Sequence, residues 1–314
     1  MKSKQTPAGK IRIGTRGSKL ALAQSYETRD RLIAAHGLTL DDFEIEIIKT
    51  SGDLIQDKAL SAFGGKGLFT KEIEDALLAG TIDLAVHSMK DMPTKLPDGL
   101  TIPCLLPRED VRDAFISLKV ARLADLPEGA VMGTSSLRRQ AQVKKLRPDL
   151  QVILYRGNVE TRLKKLEEGV ADATLLASAG LRRLGLEGRI TSLIGTDEML
   201  PAVAQGAIGI ETRDGDTRMA ALLAPLNDPA TATGVAAERA FLAELDGSCR
   251  TPIAGLAELT GERLRFRGQI LTPDGTESHA TEREGSPDDA VAMGIDAAKE
   301  LLKAAGPDFF RALG

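Results

Sequence analysis

The sequence predicts an α/β protein made of two βαβ domains of similar plan, followed by a small C-terminal α+β domain with an antiparallel sheet. Three observations carry this reading. Short apolar segments alternate with stretches of helical spacing through the first two thirds of the chain. Short phrases recur between the two units: Gly14-Thr15 and Gly133-Thr134 each precede a serine-capped helix, and Gly80-Thr81-Ile82-Asp83 is echoed by Gly169-Val170-Ala171-Asp172 before a strand. From about Asn227 the grammar changes to an alanine-rich helix, strands broken by turn residues, and a closing helix. The expected boundaries are 10–106 with 201–226, 107–200, and 227–314.

In chain order, Ile11–Thr15 reads as a strand, and Ser18 caps a helix in which Leu20, Ala23 and Leu32 keep helical spacing. Phe43–Ile47 alternates as a strand. Gly64-Gly65-Lys66-Gly67 leads into a helix containing Phe69, Ile73, Ala76 and Leu77, and Ile82–Val86 is the next strand, ending before His87-Ser88-Met89-Lys90-Asp91-Met92-Pro93. The second unit runs from a strand at Ala130–Thr134 through a helix at Leu137–Leu146 and a strand at Gln151–Tyr155. Arg156-Gly157-Asn158 then opens a helix to Glu168, and Ala173–Leu176 is a strand. The apolar run Leu200–Glu211 has no long helix beside it and is expected to return to the first domain as a strand. Beyond it come a helix through Phe241 and Leu245, strands interrupted at Thr260-Gly261 and Pro273-Asp274-Gly275, and a helix through Leu302.

At 314 residues the chain exceeds one ordinary core, and 42% apolar content suffices for two or three. A net charge of −4 offers no global basic field, so any anion site is local. Trp is absent and aromatics make up 3%, which leaves little for base stacking. Three scattered histidines, His36, His87 and His279, and two distant cysteines, Cys104 and Cys249, give neither metal spacing nor a disulfide framework. The looser acidic pair Asp53 and Asp57 is no metal site either. The first ten residues lack an apolar export segment, and no run reaches the ~20 apolar residues of a membrane span. A cytoplasmic protein is expected.

Ligands of open α/β sheets collect beyond the carboxyl ends of strands, and arginines fall there repeatedly. Arg16 follows the first strand, Arg138 and Arg139 lie in the first turn after Gly133-Thr134-Ser135-Ser136, Arg156 follows Tyr155, and Arg162 lies one turn into the next helix. Cations near helix N-termini oppose the helix dipole by about 0.3–1 kcal/mol each, so a bound anion is the natural compensation. Guanidinium forks suit carboxylates and phosphates. The competing reading makes Arg138 and Arg139 a solvated basic face continuing to Lys144, Lys145 and Arg147; Arg182 and Arg183 divide in the same way. Gly64-Gly65-Lys66-Gly67 lacks the Ser or Thr of a nucleotide loop and fits closure over a ligand. Asp91, a lone carboxylate among cations, is placed to stabilise developing positive charge or accept N–H bonds, or else to cap a turn before Pro93. Cys249 lies in Asp246-Gly247-Ser248-Cys249-Arg250-Thr251-Pro252. The adjacent guanidinium favours its thiolate and the preceding helix end opposes it, so the residues alone leave its reactivity open.

Taken together, Thr15-Arg16-Gly17-Ser18, Gly64–Phe69, His87–Asp91, Gly133–Gln140, Arg156-Gly157-Asn158-Val159 and Leu200–Gly206 resemble the porphobilinogen deaminase (hydroxymethylbilane synthase) family, in order and spacing across nearly the whole chain. Gly17 and Ser248 depart from residues found in some relatives, and neither change removes a charge. The resemblance implies two domains like the halves of a periplasmic binding protein and a third that holds Cys249. It implies a dipyrromethane cofactor joined to Cys249 by a thioether, and an enzyme that deaminates four porphobilinogen molecules, joins them head to tail and releases hydroxymethylbilane. It assigns Asp91 as the catalytic carboxylate. Lys90, Ser136, Arg138, Arg139, Arg162 and Arg183 would contact the cofactor, and Arg16, Ser18, Arg156, Gln205 and Lys66 the substrate. The partner is then a small molecule, with no nucleic acid, no membrane and a monomeric chain. Two rival readings are a non-catalytic two-domain polycarboxylate-binding protein and a nucleic-acid binder; the acidic total and scarce aromatics count against the latter.

Overall fold

The computed structural model describes residues 9–54, 70–245, 252–306 and 309. The first lobe opens with β1 (Ile11–Thr15), α1 (Lys19–His36), β2 (Phe43–Ile47), α2 (Ser51–Leu54), α3 (Lys71–Leu78), β3 (Leu84–Ser88) and β4 (Leu100–Leu105). The second holds β5 (Asp113–Ser117), β6 (Val131–Gly133), α4 (Leu137–Leu146), β7 (Gln151–Ile153), α5 (Val159–Glu167), β8 (Ala173–Ala177), α6 (Ser178–Arg183) and β9 (Ser192–Leu193). The chain then returns through β10 (Ile208–Arg213) and α7 (Thr217–Leu223). It ends with α8 (Pro229–Glu244), β11 (Ile253–Thr260), β12 (Arg263–Leu271), β13 (Ser278–Gly285) and α9 (Ala290–Ala305).

The two large sheets share one plan. Their strand orders are β2-β1-β3-β10-β4 and β7-β6-β8-β5-β9. In each, four strands run the same way and one inner strand, β10 or β5, runs antiparallel to both neighbours. Both antiparallel strands arrive from the other lobe, so the chain crosses twice, through residues 106–112 and 194–207. The third sheet, β11-β12-β13, is an antiparallel meander under α8 and α9. Phe241 and Phe266 meet there with ring centroids 5.0 Å apart. A Cβ on Gly294 would stand 2.2 Å from the Ala237 carbonyl oxygen, so only glycine lets these two helices approach so closely.

Several sequence expectations are corrected. The strand expected at Ile82–Val86 begins two residues later, because Asp83 is occupied with Arg12. Within Leu200–Glu211 only Ile208 onward is strand. Ala204 at φ 59° and Gly206 at φ 89° break any ladder, and residues 203, 204 and 207 are apolar because they are buried against the third domain. The strand at Gln151–Tyr155 ends at Ile153. The elements β4, β5, β9, α6 and α7 carried no sequence expectation. The expected Phe69 and Gly64–Gly67 features lie outside the described residues.

Candidate active site

The first wall of the cleft is built where β1 and β3 end. Ser18 caps α1, its Oγ accepting from Ala21 N at 3.2 Å, which turns Arg16 toward the space beyond the sheet. After β3, Met89 N donates to Ala207 O at 3.0 Å and the Met89 side chain is buried. This pins a 3₁₀ turn, Met89–Asp91, that leaves Asp91 exposed and Lys90 half-buried. Arg16, Ser18, Gln24, Thr70, His87 and Asp91 line one cavity. Burial pulls the Lys90 ammonium down to about 8; Asp91 and Asp113 pull it up, and Arg139 and Arg138 push it further down.

Opposite, Ser136 caps α4, its Oγ accepting from Arg139 N at 3.4 Å. Arg138 and Arg139 are each only 5% exposed, so the solvated basic face is overturned. Both forks close on one carboxylate: Arg138 Nη2 donates to Asp113 Oδ2 and Arg139 Nη2 to Asp113 Oδ1, each at 2.8 Å. Their Nη1 atoms donate to Leu200 O at 2.7 Å and Leu175 O at 2.9 Å. Gln205, fully buried in the second crossover, gives Nε2 to Asp113 Oδ1 at 2.9 Å and Val111 O at 2.8 Å. Burial raises the Asp113 carboxyl, but the charges of Arg138 and Arg139 overcome it and hold the group well below the usual carboxylate range. Two cations against one anion leave an excess positive charge. The Nε atoms of both arginines and Gln205 Oε1 are buried without a hydrogen-bond partner among the described residues.

Tyr155 sets the next part of this wall. A Cβ on Gly133 would lie 2.6 Å from its ring, so glycine admits the tyrosine, whose hydroxyl donates to Arg162 O at 2.9 Å. Asn158 caps α5, accepting from Thr161 N at 2.8 Å, and Arg162 Nε donates to Gly157 O at 2.9 Å. Burial pulls the Arg162 guanidinium down to about 10, helped by Arg139 and Arg156 and opposed by Tyr155 and Asp91. Asp91 and the arginines therefore sense one another although they come from separate lobes. Arg183 bridges the lobes, donating through Nε to Glu27 Oε2 at 3.2 Å and through Nη2 to Gly206 O at 3.1 Å. Lys19 and Glu160 add an ion pair across the same gap at 3.1 Å.

The structure thus brings together Arg16, Ser18, Lys90, Asp91, Ser136, Arg138, Arg139, Arg156 and Arg162, and puts Arg183 and Gln205 at the junction of the lobes. Lys66, Cys249 and Asp57 lie outside the described residues. Cys104 is fully buried and burial pushes its thiol up to about 12, which leaves it no nucleophile. Three functional residues escaped the sequence reading. Asp113 follows the charged run Arg108–Arg112, which hid its strand. His87 was read only as a scattered histidine, and it lines the cavity while its Nε2 stands 2.9 Å from the buried Glu211 Oε2. Glu238 joins the third domain to both crossovers, as described below. For His87 and Glu238 the sequence signal was a polar residue inside an apolar segment.

Fold and site define a two-lobed α/β protein with a cation-rich site at the junction of its lobes. A third, antiparallel-sheet domain is attached to it. Comparison with known proteins makes the class specific. Residues 11–221 match the family model "Porphobilinogen deaminase, dipyromethane cofactor binding domain" and 232–303 match "Porphobilinogen deaminase, C-terminal domain". The chain is 63% identical over 304 residues to the porphobilinogen deaminase of Paracoccus denitrificans, covering 97% of each chain. It is 61% identical to that of Nitrobacter hamburgensis, covering 95% of this chain and 94% of the other. A solved ABC transporter periplasmic substrate-binding protein from Coxiella burnetii is similar at 14% identity and TM-score 0.43, over 73% of this chain and 96% of that one. The chain belongs to the porphobilinogen deaminase family, and its fold has two α/β lobes and a small C-terminal antiparallel-sheet domain.

Proposed function

We propose that this protein deaminates four porphobilinogen molecules and joins them head to tail on a covalent dipyrromethane primer, then releases hydroxymethylbilane by hydrolysis. The observation that carries it is one exposed carboxylate, Asp91, that lines a cavity with Arg16 and whose charge acts on Arg162 of the other lobe. Family membership sets aside the non-catalytic reading. A polycarboxylate cofactor fits these residues, since the excess positive charge and the unpartnered Nε donors of Arg138 and Arg139 call for anionic acceptors. Bound through Cys249, dipyrromethane supplies a nucleophilic pyrrole carbon.

Asp91 accepts pyrrole N–H bonds and stabilises the positive charge left on the substrate when ammonia departs. Arg16, Arg156 and Lys66 hold substrate acetate and propionate groups. Lys90, Arg138, Arg139 and Arg162 hold cofactor carboxylates. Ser18 and Ser136 act from their capping positions, and Gln205 and Arg183 act on the junction of the lobes. The domains run 10–106 with 201–226, 107–200, and 227–314, supported by the insertion of β10 into the first sheet. The protein works as a cytoplasmic monomer with no nucleic-acid partner; among the described residues no helix is long and apolar enough to cross a membrane.

Intact mass spectrometry before and after porphobilinogen tests the proposal. The expected result is a polypeptide carrying one dipyrromethane, then discrete added pyrrole units, with the Cys249→Ser variant unloaded. A bare polypeptide mass from freshly made, active protein overturns it.

A further inference from the structure

We infer that Asp113 is a positioning residue for this reaction: a buried internal carboxylate that fixes the paired forks of Arg138 and Arg139. The inference deepens the function proposed above and rests on it for the identity of the ligand, but its geometry stands alone. Asp113 is almost fully buried at the first residue of β5, where the first crossover enters the second lobe. It receives two guanidinium donors at 2.8 Å from successive residues of α4 and an amide at 2.9 Å from Gln205 of the second crossover.

Successive arginines on a helix diverge by about 100°, so two adjacent guanidinium groups converge on one point only if something holds them there. They also repel. A shared carboxylate solves both problems, and each fork still has its second nitrogen anchored on a backbone carbonyl, Leu200 or Leu175. Both terminal nitrogens of each fork are thereby held, and the Nε atoms are buried with no acceptor among the described residues. A buried donor without a partner is costly, and a ligand carboxylate would recover that cost on arrival.

Asp113 also reaches Lys90. The charged groups that act on the Lys90 ammonium are Asp91 on its own turn, Arg138 and Arg139 on α4, and Asp113 on β5. Without Asp113, two cations would face Lys90 with only Asp91 to oppose them. The internal carboxylate therefore favours the charged form of a third cation beside the pair.

The test uses the full-length protein, with Asp113→Asn and Asp113→Glu compared with wild type. The pH dependence of Lys90 acetylation by acetic anhydride, read by peptide mass spectrometry in a Cys249→Ser background, reports the ammonium without any turnover. Asp113→Asn is expected to lower that midpoint by about one pH unit, the scale set by one nearby charge, and Asp113→Glu to restore it. In the otherwise wild-type protein, Asp113→Asn is expected to lower the rate at which the chain acquires dipyrromethane about tenfold, read by intact mass. A folded Asp113→Asn protein that loads cofactor at the wild-type rate overturns the inference, since a merely structural role would alter only the melting temperature. Should Asp113→Asn not fold, 15N spectra of the arginine Nε–H groups in wild type decide. Two slowly exchanging signals that shift on adding porphobilinogen support the inference, and signals that do not respond refute it. Absence of both cofactor and turnover in wild type would sink the functional proposal alone, because the Lys90 measurement is independent of either.

Discussion

Glu238 on α8 offers the sharpest stability prediction. It is fully buried and accepts four hydrogen bonds: from Arg108 Nη1 at 2.6 Å and Nη2 at 3.0 Å, from Ala204 N at 2.5 Å and from Ala257 N at 2.8 Å. One carboxylate thus ties the first crossover, through Arg108, to the second, through Ala204, and both to β11 of the third domain. Arg108 Nε further donates to Gln205 O at 2.9 Å. The Ala204 backbone sits at φ 59°, a conformation that costs a non-glycine residue about 1 kcal/mol and persists only where surroundings enforce it. In Glu238→Gln the shape is kept, but an NH₂ group faces former donors and the Arg108 charge is left buried without a counter-ion. Breaking such a pair costs about 3–5 kcal/mol. At roughly 2–4 °C per kcal/mol for a chain of this size class, the melting temperature should fall by about 10 °C. Differential scanning calorimetry at fixed pH and concentration measures it. Replacing both partners, as Arg108→Met with Glu238→Leu, should recover part of the loss, because no charge is then stranded. A melting point for Glu238→Gln within 2 °C or so of wild type would refute the reasoning.

Asp91→Ala should lower kcat by a factor of about 10²–10³ or more while the melting temperature barely moves, since Asp91 is exposed; undiminished turnover removes its assigned role. Lys90 ordinarily titrates at 10.5 and in the fold at about 8, so between those values the unfolded chain binds the extra proton and wild-type stability rises with pH. The gap in unfolding free energy between Lys90→Met and wild type should therefore shift across pH 8–10.5 in favour of wild type and stay level below pH 8. A gap that is flat from pH 7 to 11 contradicts this. Loading of the cofactor-free chain with dipyrromethane, read by intact mass, should fall as pH rises through about 8, and pH-independent loading would show that Lys90 is not a cofactor contact.

Local signals made much of this fold legible. Ser136 followed by a helix with buried Ala141 and Val143 defined α4 to its last residue, and the returning apolar run located β10 in the first sheet. Legibility failed where apolar character served a different purpose. Val203, Ala204 and Ala207 looked like strand residues because they are buried, yet they are buried as a crossover pressed on the third domain. At the site, the arginines announced themselves by standing at strand ends, against the helix dipole. Their fixing did not, because Asp113 lies 25 residues before Arg138, and a pair at that separation leaves no periodic trace. The Arg108–Glu238 pair, 130 residues apart, is still less visible.

The placement of β10 also governs the order in which the molecule is assembled on the ribosome. The second large sheet is encoded by one uninterrupted stretch, residues 113–193, and can close as soon as that stretch has emerged. The first, although it begins at residue 11, lacks an inner strand until residues 208–213 have been made. Through that interval β3 has an open edge and β4 has no partner strand in the sheet, which is the condition that invites chaperones and mispairing. The N-terminal half of the chain is synthesised first and completed second.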